Sequence, residues 1–218
     1  MNRASEEGPQ RFSWWQDWRD QVVVIVASGA SAKGVDLKSA QDRVRFIVIK
    51  QNVDLCPWAE VVYGCDGAWW QHRRGLPDYR GVRLTWDQRV ASLFPNLYHI
   101  TIHRHADRLL TEEPGVIGDG GNSGFQAFNL AVQFGATRIA LVGFEMDDRS
   151  GSHWYGRNFW PGANNPDHHN FKRWRRAFDD TPTDLATLNV EVVNTSRHSV
   201  LGCFAKHDLA ETLERWGV

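Results

Sequence analysis

The stretch QVVVIVAS at residues 21–28 decides the fold of this chain. It is a continuous run of mostly β-branched apolar residues, which is typical of a strand buried on both faces of a parallel sheet. Gly29 ends the run and opens the small-residue turn SGASAKGVDL at residues 28–37. We therefore expect a buried parallel strand followed by a tight turn.

Apolar runs of strand length recur along the chain and alternate with helical patterns. Such alternation implies right-handed crossovers and a mostly parallel sheet. The sequence thus predicts an α/β fold, with a Rossmann-like, mostly parallel β-sheet flanked by helices in a single domain. The further predicted strands are RVRFIVIK (43–50), AEVVYGCD (59–66), GVRLTW (81–86), NLYHITI (96–102), RIALVGFEM (138–146) and VEVVNTS (190–196), and the helices are 67–76, 125–136, about 169–188 and about 207–216.

The length of 218 residues fits one domain with a core large enough to need no disulfide or metal. Residues 1–20 mix charge with three tryptophans whose spacing forms an apolar stripe if helical. We interpret residues 1–20 as an N-terminal tail with a short docking helix, and residues 21–218 as a Rossmann-like nucleotide-binding domain.

Composition narrows the class of protein. The chain carries 25 basic and 26 acidic side chains, a formal charge of −1, which argues against a broad footprint for duplex nucleic acid. Three cysteines at unrelated spacings indicate neither a disulfide framework nor a zinc site. The longest apolar run is only of strand length, so we predict no membrane helix. The first residues, MNRASEEGPQRF, carry acids and a proline where a signal peptide has a basic start and an apolar stretch, so we predict no signal peptide. We expect a cytoplasmic protein without membrane contact.

Two loops rich in small residues are placed to bind an anion. Ser28, Gly29 and Ser31 follow the first strand, where backbone amides can approach a phosphate, although a strand-to-helix turn needs a glycine in any case. The loop GDGGNSG at residues 118–124 stands before a helix. Its backbone amides can face an anion or a sugar hydroxyl, and Asn122 or Ser123 can cap the helix. Four glycines in seven residues exceed what capping alone requires, which favours a binding role that includes Ser123 and Gly124.

Polar residues beyond other strands add candidates. Asn52 and Asp66 each follow a strand and are placed to bond a ribose or base, although polar residues also end strands for turn chemistry. Residues 149–168 lack periodicity over a length that is uncommon for a plain connector, and we predict a flap there. Within it, His153 is a candidate general base and Arg157 a candidate phosphate contact. A solvated loop histidine is the competing interpretation.

Other conspicuous patterns have simpler explanations. The PDHHN segment at residues 166–170 is better explained by a helix start than by a metal, so we predict no metal site. The basic run KRWRR at residues 172–176 is most simply a solvated helix face. Eleven tryptophans suit core packing or contacts between copies of the chain, which leaves a homo-oligomer open, and less often stacking on a flat ligand.

An ordered set of segments resembles a known family. The segments ASGASAKGVDL, IKQN, GNSGFQAFNLAVQFGATRIALVGFEM and SHWYGRN resemble the Rossmann-like bacterial sialyltransferases that use CMP-sialic acid, and the related phage and archaeal proteins that include a 6-hydroxymethylpterin diphosphokinase. The matches run from about residue 22 to residue 158. The whole chain resembles uncharacterised phage and prophage proteins more closely still.

The resemblance implies roles for particular residues. It implies nucleotide contacts by Ser28, Gly29, Ser31 and Asn52, with further contacts by Ser123 and Gly124, and it makes His153 the base, without an obligatory metal. Two positions depart from the family pattern: the first turn is SGAS, and Glu145 stands where the family has an aspartate.

Three functions follow as hypotheses. The first is a metal-independent glycosyltransferase using a CMP-sugar-like donor. The second is a diphosphokinase-like enzyme that binds ATP, magnesium and a flat heterocycle, which requires carboxylates near the phosphates. Its candidates are Asp66, Asp119, Glu145 and Asp147. The third is a non-catalytic protein that binds or sequesters a nucleotide. In each case the partner is a small nucleotide ligand.

Overall fold

The computed structural model describes residues 12–218, which contain ten strands. Eight form one sheet in which every adjacent pair is parallel, in the order β10-β9-β8-β1-β2-β3-β4-β5, and β6 and β7 form a separate parallel pair. The predicted Rossmann-like α/β fold is confirmed. The strands are Val22–Val26 (β1), Arg45–Ile49 (β2), Val61–Tyr63 (β3), Val82–Thr85 (β4), Leu97–His99 (β5), Thr101–His103 (β6), Val116–Gly118 (β7), Arg138–Val142 (β8), Glu191–Asn194 (β9) and Ala205–Lys206 (β10).

A capping box and a glycine mark ends of the two longest helices. The longest is α4, whose first turn is held by a capping box between Asp167 and Asn170, and α3 is followed by Gly135 at φ +92°. No helix in the described part of the chain is long and apolar enough to cross a membrane. The α-helices are Gly67–His72 (α1), Gln88–Ala91 (α2), Ser123–Gln133 (α3), His168–Asp179 (α4), Pro182–Thr187 (α5) and Leu209–Arg215 (α6), and short 3₁₀ turns span Ala30–Gly34, Lys38–Ala40 and Lys50–Asp54.

Strand β1 lies between β2 and β8, and all five of its side chains are buried. Ile25 is in register with Ile47 on one side and Leu141 on the other. From β1 the chain builds outward to β5 and then returns through β8 on the opposite side. The strand order therefore reverses between β1 and β8, which is the position where open parallel sheets bind ligands.

Alternate side chains of the sheet pack into two cores. Ile25 and its neighbours face α3 and α4, where Phe125, Phe128 and Phe178 are fully buried. The opposite face of the sheet packs on α1 and α6, with Trp69 and Trp70 at its centre. Most of the buried tryptophans therefore pack in the hydrophobic core, which is the first of the two interpretations given from the sequence.

Two predicted elements are divided. The segment NLYHITI forms β5 and β6 in different sheets, because the N–H of Ile100 bonds the Thr85 carbonyl whereas that of Thr101 bonds Gly115. The helix predicted over about 169–188 is two helices, since Pro182 lacks the N–H that a continuous helix needs and instead begins α5.

The N-terminal segment docks without a helix. Residues 1–11 of the predicted tail lie outside the described residues, and residues 12–20 form turns where a docking helix was predicted. Trp14 and Trp18 are nonetheless buried, and both pack edge-on against Phe134. Aromatic burial, together with the bond from the Trp18 N–H to the Phe134 carbonyl at 2.7 Å, therefore holds the segment against the end of α3.

Replacing Ile25 with Ala tests the central position of β1. We expect Ile25→Ala to lower the free energy of unfolding by about 2–5 kcal/mol, because the cavity left in a fully buried strand cannot collapse. Leu93→Ala, at a side chain that is 55% exposed, should change stability little. Urea unfolding measures both, and equal effects would contradict the packing described.

Candidate functional site

A cavity of about 470 Å³ lies at the carboxyl edge of the sheet, beside the switch between β1 and β8. Turns that follow β1, β2, β3, β4 and β8 line it, together with the start of α3 and one face of α4. Its volume is typical of small-molecule sites. Residues 149–167, which contain no helix or strand and which we call the flap, contribute the remaining wall.

Most of the predicted site residues lie together in the cavity wall, and three lie outside it. Arg157 is exposed on the flap, and the N–H and hydroxyl of Ser31 bond Glu145 and Ser196. Asn52 is fully buried behind the wall. The predicted residues that line the cavity are Ser28, Gly29, Asp66, Asn122, Ser123, Gly124 and His153.

Gly29 lies just beyond the paired ends of β1 and β8. Its N–H donates to the Gly143 carbonyl at 3.0 Å, which extends the ladder beyond both strands. A Cβ on Gly29 would lie 1.5 Å from Oε2 of Glu145. Oε1 of the same carboxylate accepts from the Ser31 N–H at 2.9 Å. The small residue after β1 therefore makes room for a buried carboxylate in the cavity wall.

Asn52 connects the sheet edge to the flap. Its amide nitrogen donates to the Ser28 hydroxyl at 3.0 Å and to the Ile49 carbonyl at 2.7 Å. Its amide oxygen accepts from the indole N–H of Trp154 at 2.8 Å. The Trp154 backbone N–H in turn donates to the Ser28 carbonyl at 2.9 Å. These bonds occupy the Asn52 side chain, so its observed role is to hold the turn and the flap.

Hydrogen bonds to three parts of the protein hold the glycine-rich loop before α3 in place. Asn122 caps the helix by accepting from the Phe125 N–H at 2.9 Å. The Ser123 hydroxyl accepts from the Cys65 N–H at 3.0 Å, which links the loop to the turn after β3. The Gly121 carbonyl accepts from the indole of Trp174 on α4 at 2.8 Å. The loop therefore presents its backbone to the cavity in a defined position.

His153 faces the cavity as a neutral imidazole. Its Nδ1 lies 3.1 Å from the Gly156 carbonyl oxygen, an acceptor, so Nδ1 carries the proton and Nε2 keeps a lone pair. The ring also stacks on Tyr155, with centroids 5.0 Å apart. Burial, and after it the ammonium of Lys50, lowers the pKa of His153 to about 4. The side chain is therefore unprotonated at neutral pH, with its basicity reduced below that of an ordinary histidine.

The flap is held together by asparagines that sequence reasoning did not single out. The backbone N–H of Asn158 donates to the Asn165 side chain at 2.8 Å, and its amide nitrogen donates to the Asn164 carbonyl at 2.7 Å. All three residues line the cavity. The density of asparagine in an aperiodic segment is the feature that could have indicated them.

Aromatic side chains and acids complete the wall. Trp86, Phe171 and Trp174 supply flat apolar surface, and none of the three was proposed as a site residue. Among the acids of the magnesium hypothesis, Asp119 does not line the cavity and instead pairs with Arg173 at 3.0 Å. Within residues 12–218 no group of three or more His, Cys, Asp or Glu side chains is arranged to hold a metal ion.

No protein-family model matches the sequence, and no curated protein matches it. Solved structures do match. The sialyltransferase CST-II in complex with a trisaccharide acceptor and CMP matches with a TM-score of 0.50 and 14% identity over 88% of this chain and 87% of that one. CstII from Campylobacter jejuni in complex with a substrate analogue, cytidine-5'-monophosphate, matches with a TM-score of 0.49 and 13% identity over 86% and 85%. At 14% identity, the match to the CST-II complex with a TM-score of 0.50 shows a likeness of fold alone.

Asn52→Ala tests the link to the flap. The substitution leaves the partly buried indole N–H of Trp154 without its acceptor, so we expect a loss of about 1–3 kcal/mol in unfolding free energy. Trp154→Phe removes the indole donor together with part of the ring, so once Asn52 is Ala it should cost only the lost packing and not the hydrogen bond. A thermodynamic double-mutant cycle measures this coupling, and strict additivity would show that the bond contributes nothing.

The state of His153 can be read by NMR titration. Its imidazole resonances should titrate near pH 4, far below the value near 6.5 of an unperturbed histidine. Because the unfolded chain takes up the proton first, this residue should destabilise the fold progressively as pH falls from about 6.5 toward 4. A titration midpoint near 6.5 would contradict the enclosure described.

Proposed function

We propose that this chain is a metal-independent glycosyltransferase that uses a CMP-sugar-like donor, with His153 as its general base. One observation carries the proposal: the turn after β1, the loop before α3 and the free Nε2 of His153 meet in one cavity at the switch point of a parallel sheet. The fold shared with a sialyltransferase that was solved with CMP supports it.

The donor nucleotide is proposed to lie along the carboxyl edge of the sheet. Ser123 and Gly124 offer the backbone N–H groups of the first turn of α3 to its phosphate, and Asp66 offers a carboxylate to hydroxyls. The hydroxyls of Ser28 and Ser123 each accept one bond from the protein and keep further hydrogen-bonding capacity for the ribose. Gly29 leaves space in the wall because it has no side chain. The proposal leaves Ser31, Asn52 and Asn122 as supports of these groups, since their side chains already bond the protein. The acceptor would enter beneath the flap, beside His153.

The reaction is a displacement at the anomeric carbon of the sugar. The acceptor hydroxyl oxygen forms the new bond while its proton passes to Nε2 of His153. The bond between the anomeric carbon and the phosphate oxygen breaks, and its electron pair leaves with the nucleotide phosphate. The chemistry needs a base and donors to the departing phosphate, and no metal enters it.

Release of CMP from CMP-sialic acid, with and without simple glycan acceptors, tests the proposal. In the wild-type protein we expect acceptor-dependent release. His153→Ala should lower turnover by about 10²- to 10⁴-fold and leave CMP affinity, measured by calorimetry, nearly unchanged. His207→Ala, at an exposed histidine outside the cavity, is the matched control.

His153→Asn separates catalysis from positioning. Asparagine keeps a hydrogen bond to the flap but provides no base, so turnover should stay as low as in the alanine variant. Recovery of turnover by asparagine would make His153 a structural residue of the flap. CMP binding with no transfer in any variant would instead favour a non-catalytic nucleotide-binding protein.

A further inference from the structure

We propose that Lys50 binds the phosphate of the donor and stabilises it as the leaving group, because its ammonium is the cation that faces an otherwise acidic cavity. This inference rests on the proposed function and names the group that stabilises the negative charge on the departing phosphate. It also gives Lys50 the phosphate contact that the sequence analysis predicted for Arg157, because Arg157 lies outside the cavity wall.

The charges around the cavity carry the argument. Among its described lining residues Lys50 is the sole lysine or arginine, whereas four carboxylates share the wall. A nucleotide phosphate would be repelled by such a surface without a compensating cation. Those carboxylates belong to Asp66, Asp87, Glu145 and Asp147.

The ammonium is available to a ligand. Its ion-pair partner within the described chain is Asp66, with Nζ and Oδ2 3.7 Å apart, beyond hydrogen-bond distance. Oδ1 of Asp66 accepts from the Ala68 N–H at 3.2 Å as the cap of α1. The Lys50 side chain is only 14% exposed, so its charge is poorly hydrated and gains from a phosphate that accepts its N–H groups.

The backbone of Lys50 is in a conformation that lysine rarely adopts. Its φ is +49°, in the left-handed region that favours glycine or asparagine. Among the described non-glycine residues with positive φ, Lys50 and Met146 are the two that line the cavity. Lys50 directly follows β2 and Met146 lies in the turn after β8, both at the carboxyl edge of the sheet, and disfavoured backbone of this kind concentrates at functional sites.

Lys50 also acts on both the proposed base, His153, and the proposed leaving group, the nucleotide phosphate. Its charge contributes to the lowered pKa of His153, so the two side chains act on each other through the cavity. As the bond from the anomeric carbon to phosphate breaks, the phosphate oxygen gains the electron pair and the ammonium stabilises it. Neutralisation of Lys50 by that phosphate weakens its effect on His153, which makes the imidazole more basic when it must take the acceptor proton.

Calorimetry that compares the affinity of the protein for each nucleoside with its affinity for the corresponding 5′-monophosphate tests the inference. The probes are cytidine and CMP, with the uridine, adenosine and guanosine pairs measured in parallel. Lys50→Met should reduce the preference for the monophosphate by about 10- to 100-fold while nucleoside affinity stays within about twofold. Lys33→Met, an exposed lysine in the neighbouring turn that removes the same charge, should keep the wild-type preference.

A second readout needs no ligand. In Lys50→Met the NMR titration midpoint of His153 should rise, because the neighbouring positive charge is gone. If the methionine variant does not fold, Lys50→Asn, which suits left-handed backbone, replaces it. Binding of CMP with an unchanged phosphate preference in the variant would overturn the role of Lys50 alone. Absence of nucleotide binding in the wild-type protein would overturn the proposed function and this inference with it.

Discussion

The close pairing of β1 with β8 is the constraint on which the rest of the site depends. The ladder continues past both strands, through the bond from the Gly29 N–H to the Gly143 carbonyl, and a side chain on either glycine would meet backbone or a carboxylate. Because the two strand ends are held together, the turn after β1 and the wall formed by Glu145 face the same space. The position of the cavity therefore follows mainly from the geometry of the sheet.

Enclosure by the flap changes the chemistry of that space. The bonds from Trp154 to Asn52 and Ser28 hold the flap against the sheet edge and bring His153 over the cavity. Removal from water lowers the pKa of the imidazole, and the same low polarity strengthens any contact between Lys50 and an anion. One structural feature therefore keeps the proposed base unprotonated and strengthens the proposed leaving-group contact.

Much of this fold is predictable from local patterns. The run QVVVIVAS predicted β1, and the helical pattern of residues 125–136 predicted most of α3, since both depend on neighbours in the chain. The division of NLYHITI between two sheets was not predictable, because it follows from which distant carbonyls accept from Ile100 and Thr101.

The site was predicted less completely than the fold. Residues such as Gly29 and Ser123 follow from strand ends and glycine content, and both line the cavity. Asn52 is buried by tertiary contacts that no local pattern encodes. Lys50 stands two positions before Asn52 and was overlooked, because its importance depends on the sign of the charges around it.

Hydrogen exchange with and without CMP tests most directly whether a nucleotide occupies the carboxyl edge at the switch point. Binding should slow exchange in three separate segments, at about residues 27–31, 121–125 and 152–158, since all three line or support the cavity. Exchange at the opposite ends of β1 and β8 should not change. Protection confined to another surface, such as the basic face of α4, would contradict this assignment of the site.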